Sequence, residues 1–115
     1  MLLDHTIFQK KMGLPIPAGL EKLYTIKSIV ESMPLGFRFS NVGFVLEVQY
    51  LLAMSDSKNY DIKNLRFTFA VNTDGHELIV DLNTDTLEIL QSEYGDVDSI
   101  GVNVNDLLMA ERYSV

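Results

Sequence analysis

The residue types best suited to chemistry are gathered in one short stretch, "VNTDGHELIVDL", at positions 71–82. It contains Asp74, His76, Glu77 and Asp81, and carboxylates and imidazoles are common ligands of divalent metals. Neighbouring residues on a strand point to opposite faces, so His76 and Glu77 would diverge instead of meeting at one ion. His76 also shares the parity of the apolar residues after it, which places it at the rim of the core. We therefore predict no metal site.

The stretch that starts at Asp81 has a partial likeness to a calcium-binding loop. Asp81, Asn83 and Asp85 fall at positions one, three and five of such a loop. However, Thr86 stands where glycine is needed, and Ser92 stands where a bidentate glutamate is needed. The match fails at both diagnostic positions.

The sequence also lacks the parts of an active site. It has no cysteine, which excludes thiol catalysis and disulfides, and its seven glycines form no glycine-rich phosphate loop. Neither His5 nor His76 has a partner that would make a nucleophile and base pair. The acids fall mostly in turns or on exposed parities, where little would shift a pKa. We expect a protein that is not an enzyme and has no catalytic residue, metal or cofactor.

Composition indicates one globular domain over residues 1–115. Hydrophobic residues make up 47% and charged residues 22%, and a chain of this length can bury a core without disulfides. The lack of cysteine fits a reducing cytoplasm, where we expect the protein. The N-terminal segment has no apolar signal-peptide core, and the most apolar window, "VGFVLEVQYLLAM", contains Glu47 and Gln49. We therefore expect neither a secretory signal nor a membrane span.

Charge is divided unevenly along the chain. Residues 1–66 carry six acids and eight bases, whereas residues 67–115 carry ten acids and a single base, Arg112. A surface of one sign often serves solubility alone. It also repels phosphate backbones, so we expect no nucleic-acid partner. The same surface would attract a basic protein.

Two helices are predicted from apolar spacing and capping residues. The first is a long helix in "GLPIPAGLEKLYTIKSIVESMPLG", where Pro17 suits the first turn and Pro34 ends the element. Its apolar face is formed by Leu20, Leu23, Ile26, Val30 and Met33. The second is a C-terminal helix in "NVNDLLMAERY", capped by Asn103 or Asn105. Its predicted core residues are Leu107, Leu108 and Tyr113.

Alternating apolar residues between these helices predict strands. They lie in "GFRFS", "GFVLEVQYLLAM", "LRFTFAV", "HELIVDL" and "LEILQS", with a helix from Tyr50 onward as an alternative in the second. "EYGDVDS" is predicted to be a polar loop. The turns "NTDG" and "NTDT" are short, so the strands they join must be antiparallel. The fold class is α+β, with a single twisted antiparallel sheet against which the long helix and the C-terminal helix pack.

Two segments, in this order, resemble the SUKH superfamily. "KKMGLPIPAGLEKLY" is similar to that family's glycine followed by a Leu-Pro helix start, and "IKNLRFTFAVNTDGHELIVDLNTDTLEIL" is similar to its hairpin and following strand. "SIGVNVNDLLMA" stands where the family has a short apolar run and a closing helix. The family usually has a full helix before the Leu-Pro, and here only about a dozen residues precede it.

The resemblance implies a SUKH-like α+β domain with no catalytic residues. Bacterial members are largely immunity proteins that bind a toxin, often a nuclease, and fungal relatives regulate cell-wall synthesis through protein contacts. The acidic half fits the first role, because a nuclease is basic where it holds phosphates. The alternative is a regulatory or scaffold domain that acts through protein contacts or self-association.

The residues predicted to bind a basic partner are the acids of the turns and outward-facing positions in the second half of the chain. Tyr94 lies among them and is either an aromatic anchor for the partner or a core tyrosine. The predicted set is Asp74, Glu77, Asp81, Asp85, Glu88, Glu93, Tyr94, Asp96 and Asp98.

Overall fold

The alternating apolar stretches form strands that are joined mainly by short turns, and together they make one curled antiparallel sheet. The computed structural model describes residues 2–115. The strands are β1 (Leu35–Phe39), β2 (Phe44–Leu51), β3 (Tyr60–Asp61), β4 (Arg66–Asn72), β5 (Glu77–Asp81), β6 (Glu88–Glu93), β7 (Asp96–Asn103) and β8 (Glu111–Ser114). Their order in the sheet is β7-β6-β5-β4-β2-β1-β8, with β3 also paired to β4. The edges are therefore β7 and β8.

Four short helices complete the mixed α+β fold. They are α1 (His5–Met12), α2 (Ala18–Thr25), α3 (Lys27–Val30) and α4 (Val104–Met109). Their apolar residues join one continuous core with the inward-facing side chains of the strands, among them Phe37, Phe67 and Val80. No helix in the described part of the chain is long and apolar enough to cross a membrane.

Aromatic contacts connect the first two helices to the middle of the sheet. The ring centroids of Phe8 in α1 and Phe67 in β4 lie 5.7 Å apart in an edge-to-face arrangement. The hydroxyl of Tyr24 in α2 donates to the Leu52 carbonyl at 2.6 Å and lies 3.1 Å from the Phe69 carbonyl. Since a buried phenol needs a polar partner, this contact fixes where α2 lies on the sheet.

The prediction of one long helix before the sheet is wrong, because that segment is divided into α2 and α3. Ile26 adopts an extended conformation, with φ −72° and ψ 109°, and separates the two. The Thr25 hydroxyl donates to the Glu21 carbonyl at 3.0 Å, a side-chain bond that competes with continued helix. The break lets Ile29 become fully buried, whereas Ile26 and Val30 are only partly buried.

The structure adds a helix, α1, that the sequence analysis did not predict. The Asp4 side chain accepts a hydrogen bond from the Ile7 amide, and Gly13 ends the helix with a left-handed φ of 73°. Both are standard capping signals, and the buried residues Phe8 and Met12 are four positions apart. The signals for this helix were therefore present in the sequence.

Two bulges change which side chains face the core. Gln49 is an extra residue in β2, so Tyr50 is 48% exposed and Leu51 takes the buried position instead. A second irregularity at Phe69 in β4 lets both Phe69 and Ala70 be fully buried. Strict alternation could not predict either change, because a bulge inserts a residue that breaks the period of two.

The prediction that "EYGDVDS" is a polar loop is wrong, because most of this segment belongs to the hairpin formed by β6 and β7.

The C-terminal helix is present as α4. Of its two predicted caps, it is Asn103 whose side chain accepts a hydrogen bond from the Asp106 amide. Leu107 is buried as predicted, and Leu108 is partly buried. Tyr113 lies beyond α4 in β8, which pairs with β1 along the edge of the sheet.

Substitution of Gly36 by alanine should destabilise the protein, because the ring of Tyr113 lies directly over Gly36 and would overlap an added Cβ. We expect a loss of about 1–3 kcal/mol in the free energy of unfolding, which is typical of overpacking. Urea unfolding would measure it.

The matched control for this substitution is Gly19→Ala in α2. There an added Cβ would lie 3.5 Å from the Val104 side chain, which is ordinary contact, so the better helix propensity of alanine should stabilise the protein slightly. Equal effects of Gly36→Ala with and without a second substitution, Tyr113→Ala, would show that the ring is not the cause.

Stability should fall at high pH because three tyrosines, Tyr24, Tyr60 and Tyr113, have a raised pKa and ionise less readily in the folded state. Burial chiefly, with a smaller effect of the Asp4 carboxylate, raises the pKa of Tyr60 to about 12. Burial also raises the pKa of Tyr24. The unfolded chain loses these protons near the ordinary pKa of about 10, so the free energy of unfolding should fall as the pH rises from there towards 12.

Urea unfolding at about pH 9 and about pH 11, on either side of the ordinary tyrosine pKa, would test this expectation. The Tyr60→Phe variant should lose less stability between the two pH values than the natural protein does. An equal loss in both proteins would show that Tyr60 does not contribute to the pH dependence.

Candidate partner-binding site

Most of the acidic half of the sequence lies at one end of the sheet, whereas Asp106 in α4 and Glu111 in β8 lie elsewhere. The β4–β5 turn, the three strands β5, β6 and β7 that end at the β7 edge, and their connections carry eight acids and no lysine or arginine. The bases of the first half lie on the helices, on β1, on the loop before β4 and at the start of β4. The charge division along the sequence therefore becomes a division in space.

The strands place the predicted site residues in two groups, one at each end of this acidic edge. Glu77 and Asp81 lie at the two ends of β5, about 13 Å apart at the usual rise of a strand. We call the first group the acidic tip, because it lies around the β4–β5 and β6–β7 turns. The acidic tip consists of Asp74, Glu77, Glu93, Tyr94, Asp96 and Asp98.

The second group lies at the opposite end of the acidic edge and consists of Asp81, Asp85 and Glu88. It is less available to a binding partner, chiefly because of the contacts around Asp81. The Asp81 carboxylate accepts bonds from the Asn83 amide and from its side chain, both at 2.9 Å, and so holds the turn after β5. Arg66 is the cross-strand neighbour of Asp81 and offsets part of the negative charge there. The structure therefore does not gather the nine predicted residues into one patch.

The β4–β5 turn is organised by the buried side chain of Asn72, which is 7% exposed. Its carbonyl oxygen accepts from the Asp74 amide at 3.0 Å and from the His76 amide at 2.8 Å. Gly75 follows with φ 85°, a conformation that glycine adopts without strain. The turn was correctly predicted, and it presents the Asp74 side chain to solvent.

Tyr94 lies at the exposed end of the β6–β7 hairpin, so the alternative of a core tyrosine is wrong. Its side chain is 93% exposed, and its φ of 51° is left-handed. Gly95 follows with φ 86°, and the two form a two-residue turn closed by the pair Glu93 and Asp96. A left-handed tyrosine costs energy, and such strain is commonly found at functional positions.

His76 lies beneath this tyrosine at the rim of the core. The two ring centroids are 6.1 Å apart in an edge-to-face arrangement, and the imidazole Nε2 lies 3.9 Å from a Glu93 oxygen. The His76 side chain is 23% exposed. It thereby connects the β4–β5 turn to the β6–β7 turn and supports the acidic tip from inside. Within residues 2–115, no three acids or histidines are grouped so that they could hold a metal ion.

Beside the acidic tip the sheet has a gap, which we call the notch. Residues 44–47 of β2 pair with β1 on one side, but β4 ends at Asn72 and leaves their other side without a strand. The resulting cavity has a volume of about 570 Å³. Its lining is formed by Phe44, Val45, Leu46, Glu47, Asn72, Thr73, Asp74, Gln91 and Ile100.

Glu47 is a site residue that the sequence analysis did not single out. One of its carboxylate oxygens accepts from the Thr73 hydroxyl and the other from the Tyr113 hydroxyl, each at 3.3 Å. Tyr113 is 66 residues away in sequence and reaches Glu47 only because Gly36 leaves room for its ring. No local pattern in the sequence could have indicated this arrangement.

Comparison of the chain with protein-family models, with curated proteins and with solved structures finds no match.

Replacing Tyr94 by asparagine should stabilise the protein, because asparagine tolerates the left-handed conformation and Asn-Gly favours this type of turn. We expect a gain of about 1 kcal/mol in the free energy of unfolding, measured with urea. Tyr94→Phe is the control, since it keeps the ring and the strain, and it should leave stability unchanged. A destabilised Tyr94→Asn variant would instead show that the ring's contact with His76 outweighs the strain.

Proposed function

We propose that this protein is a non-enzymatic immunity protein, which neutralises a basic toxin of the nuclease type by direct contact through its acidic tip. The observation that carries the proposal is the acidic side of the sheet. Eight acids on three adjacent strands and their turns face solvent or lie near it, with no base among them. Their concentration at one sheet edge is what a partner of opposite charge would recognise.

The physical argument concerns the electric field that two such partners would share. A nuclease must be basic where it holds phosphates, so an inhibitor that covers that cleft should be acidic. Opposed fields raise the association rate and disfavour wrong partners. The acidic tip is the better candidate within the acidic edge, because at the opposite end Arg66 lies across from Asp81 and Asn83 donates to the Asp81 carboxylate.

Tyr94 supplies the apolar part of such an interface. Charged residues at an interface mainly set the association rate, whereas aromatic anchors at its centre carry much of the affinity. Tyr94 is surrounded in the acidic tip by Glu93, Asp96 and Asp98, and its side chain is almost fully exposed. An exposed aromatic ring held in a strained turn is explained if a partner covers it.

The resemblance to the SUKH superfamily supports the same proposal from the sequence. The order of elements is compatible with it, since α1 precedes the Leu-Pro segment and α4 follows β7. The cytoplasm is the compartment where such a protein would meet its toxin. A regulatory or scaffold domain is the alternative, and it would use the same surface to hold a partner more weakly.

The proposal is tested by expressing each open reading frame next to this gene, alone and together with this protein, and by scoring cell growth. If the proposal is correct, one neighbour stops growth and this protein restores it. If no neighbour is toxic, the immunity role is contradicted, and the regulatory or scaffold role replaces it.

Binding of the toxin identified in this way should depend steeply on the charge of the acidic tip. The double substitution Asp96→Lys and Asp98→Lys should lower the association rate at low salt by about tenfold or more, and it should flatten the dependence of that rate on salt. Stopped-flow fluorescence with the purified toxin would measure both.

The matched control is the pair Glu31→Lys and Asp85→Lys, which makes the same change in net charge away from the acidic tip. It should slow association much less, because screened charges act mainly over about 10 Å. Equal slowing by both pairs would show that net charge, and not the acidic tip, guides the partner.

A further inference from the structure

The notch differs from the rest of the acidic side because one side of a strand there has no neighbouring strand to pair with. Residues 44–47 of β2 have no paired strand on the side of β4. One backbone hydrogen bond is made there, from the Thr73 amide to the Glu47 carbonyl at 3.0 Å. In an antiparallel strand about half of the backbone groups point to each side. The notch therefore presents backbone hydrogen-bonding groups as well as side chains to an incoming molecule.

The lining of the notch has two chemically distinct parts. The apolar lining residues, which we call the floor, are Leu46, which is 6% exposed, and the partly buried Phe44 and Ile100. Two carboxylates, Glu47 and Asp74, lie in the wall. Among residues 2–115, no lysine, arginine or histidine lines the cavity.

The amides of Asn72 and Gln91 hold the inner wall in place. The Asn72 side-chain nitrogen donates to the Gln91 side-chain oxygen at 3.4 Å, while the Asn72 oxygen is used within the turn. This long bond leaves the Gln91 oxygen able to accept from a second donor. The wall thus offers oxygen acceptors and no cationic donor.

The Glu47 carboxylate is oriented before any ligand arrives. The hydroxyls of Thr73 and Tyr113 each donate to one of its oxygens, and the Arg38 guanidinium lies 4.9 Å from the centre of the Tyr113 ring. Arg38 is itself paired with Glu111 at 3.3 Å. Preorganised acceptors cost less entropy on binding than mobile ones.

An apolar floor with acidic walls is complementary to a long basic side chain. Arginine and lysine lay an apolar stem on hydrophobic surface and keep a charged head among acceptors. An acidic side chain would be repelled by Glu47 and Asp74, and an apolar one would leave the wall acceptors without donors. The cavity volume of about 570 Å³ is ample for one such side chain.

We propose that the notch is the receptor for one arginine or lysine side chain of the basic partner. The identity of that partner rests on the proposed function, but the chemistry of the notch does not. Because Asp74 belongs to both the notch and the acidic tip, a partner guided to the acidic tip meets the notch directly beside it.

The experiment titrates the isotope-labelled full chain with Nα-acetyl-arginine amide and follows amide and methyl resonances. We expect saturable shifts at Leu46, Asn72, Gln91 and Ile100. Nα-acetyl-citrulline amide, which has nearly the same shape without the charge, should produce much smaller shifts. Equal shifts with both probes, or shifts that spread along β6 and β7 without saturation, would overturn the proposal.

Two substitutions make the test specific to the notch walls. Asp74→Asn and Glu47→Gln should each weaken the affinity for the arginine probe by about threefold to fivefold, as expected for loss of a partly hydrated ion pair. Glu31→Gln removes the same charge from the exposed end of α3, outside the predicted binding set, and should leave the affinity unchanged. Equal weakening by all three would mean a general charge effect and would overturn the proposal.

The two proposals fail in distinguishable ways. If no neighbouring gene is toxic but the probe binds the notch, the immunity role is lost and the receptor for a basic side chain remains. If the toxin is neutralised but the probe fails to bind the notch, the immunity role remains and the receptor is lost.

Discussion

One buried amide, the side chain of Asn72, connects the β4–β5 turn to β6 and so positions much of what we assign to the binding site. Its oxygen accepts hydrogen bonds from the backbone amides of Asp74 and His76, and its nitrogen donates a hydrogen bond to the Gln91 side chain in β6. These bonds end β4, and the end of β4 leaves the gap beside β2. They also place Asp74 at the wall of the notch and His76 under Tyr94. A buried polar group that satisfies several backbone donors is costly to replace, so the geometry of the site depends on it.

The division of charge is the second constraint, and it acts through the order of the strands. Because the acidic part of the chain forms β5, β6 and β7 in succession, its acids cannot be interleaved with the bases of β1 or the helices. Acids along an edge strand also discourage pairing of that edge with another copy of the chain, since like charges would face each other. The same surface that would attract a basic partner therefore discourages self-association through β7.

The sequence predicted those features that depend on local chemistry. The α+β class, the Asp74–Gly75 turn and the C-terminal helix, with Asn103 as one of two predicted caps, follow from alternation, glycine placement and capping. The N-terminal helix α1 was predictable from Asp4 and Gly13 but was missed.

Features that depend on packing between distant segments were not predictable. The division of the long helix at Ile26 and the bulge at Gln49 serve burial against residues far along the chain. The acids and Tyr94 of the candidate site were predicted from the sequence. Their separation into two groups, at opposite ends of the acidic edge, was not. The orientation of the Glu47 carboxylate in the notch requires Gly36, Glu47 and Tyr113 to meet, and only the folded sheet brings these three together.

The most direct test is amide hydrogen exchange of this protein, free and bound to the toxin that we propose it neutralises. We expect slower exchange on binding at residues 44–47, in the β4–β5 turn and in the β6–β7 hairpin, and no change in α1 to α3. Protection confined to the helices, or to the loop between β5 and β6, would show that the partner binds elsewhere and would contradict the account.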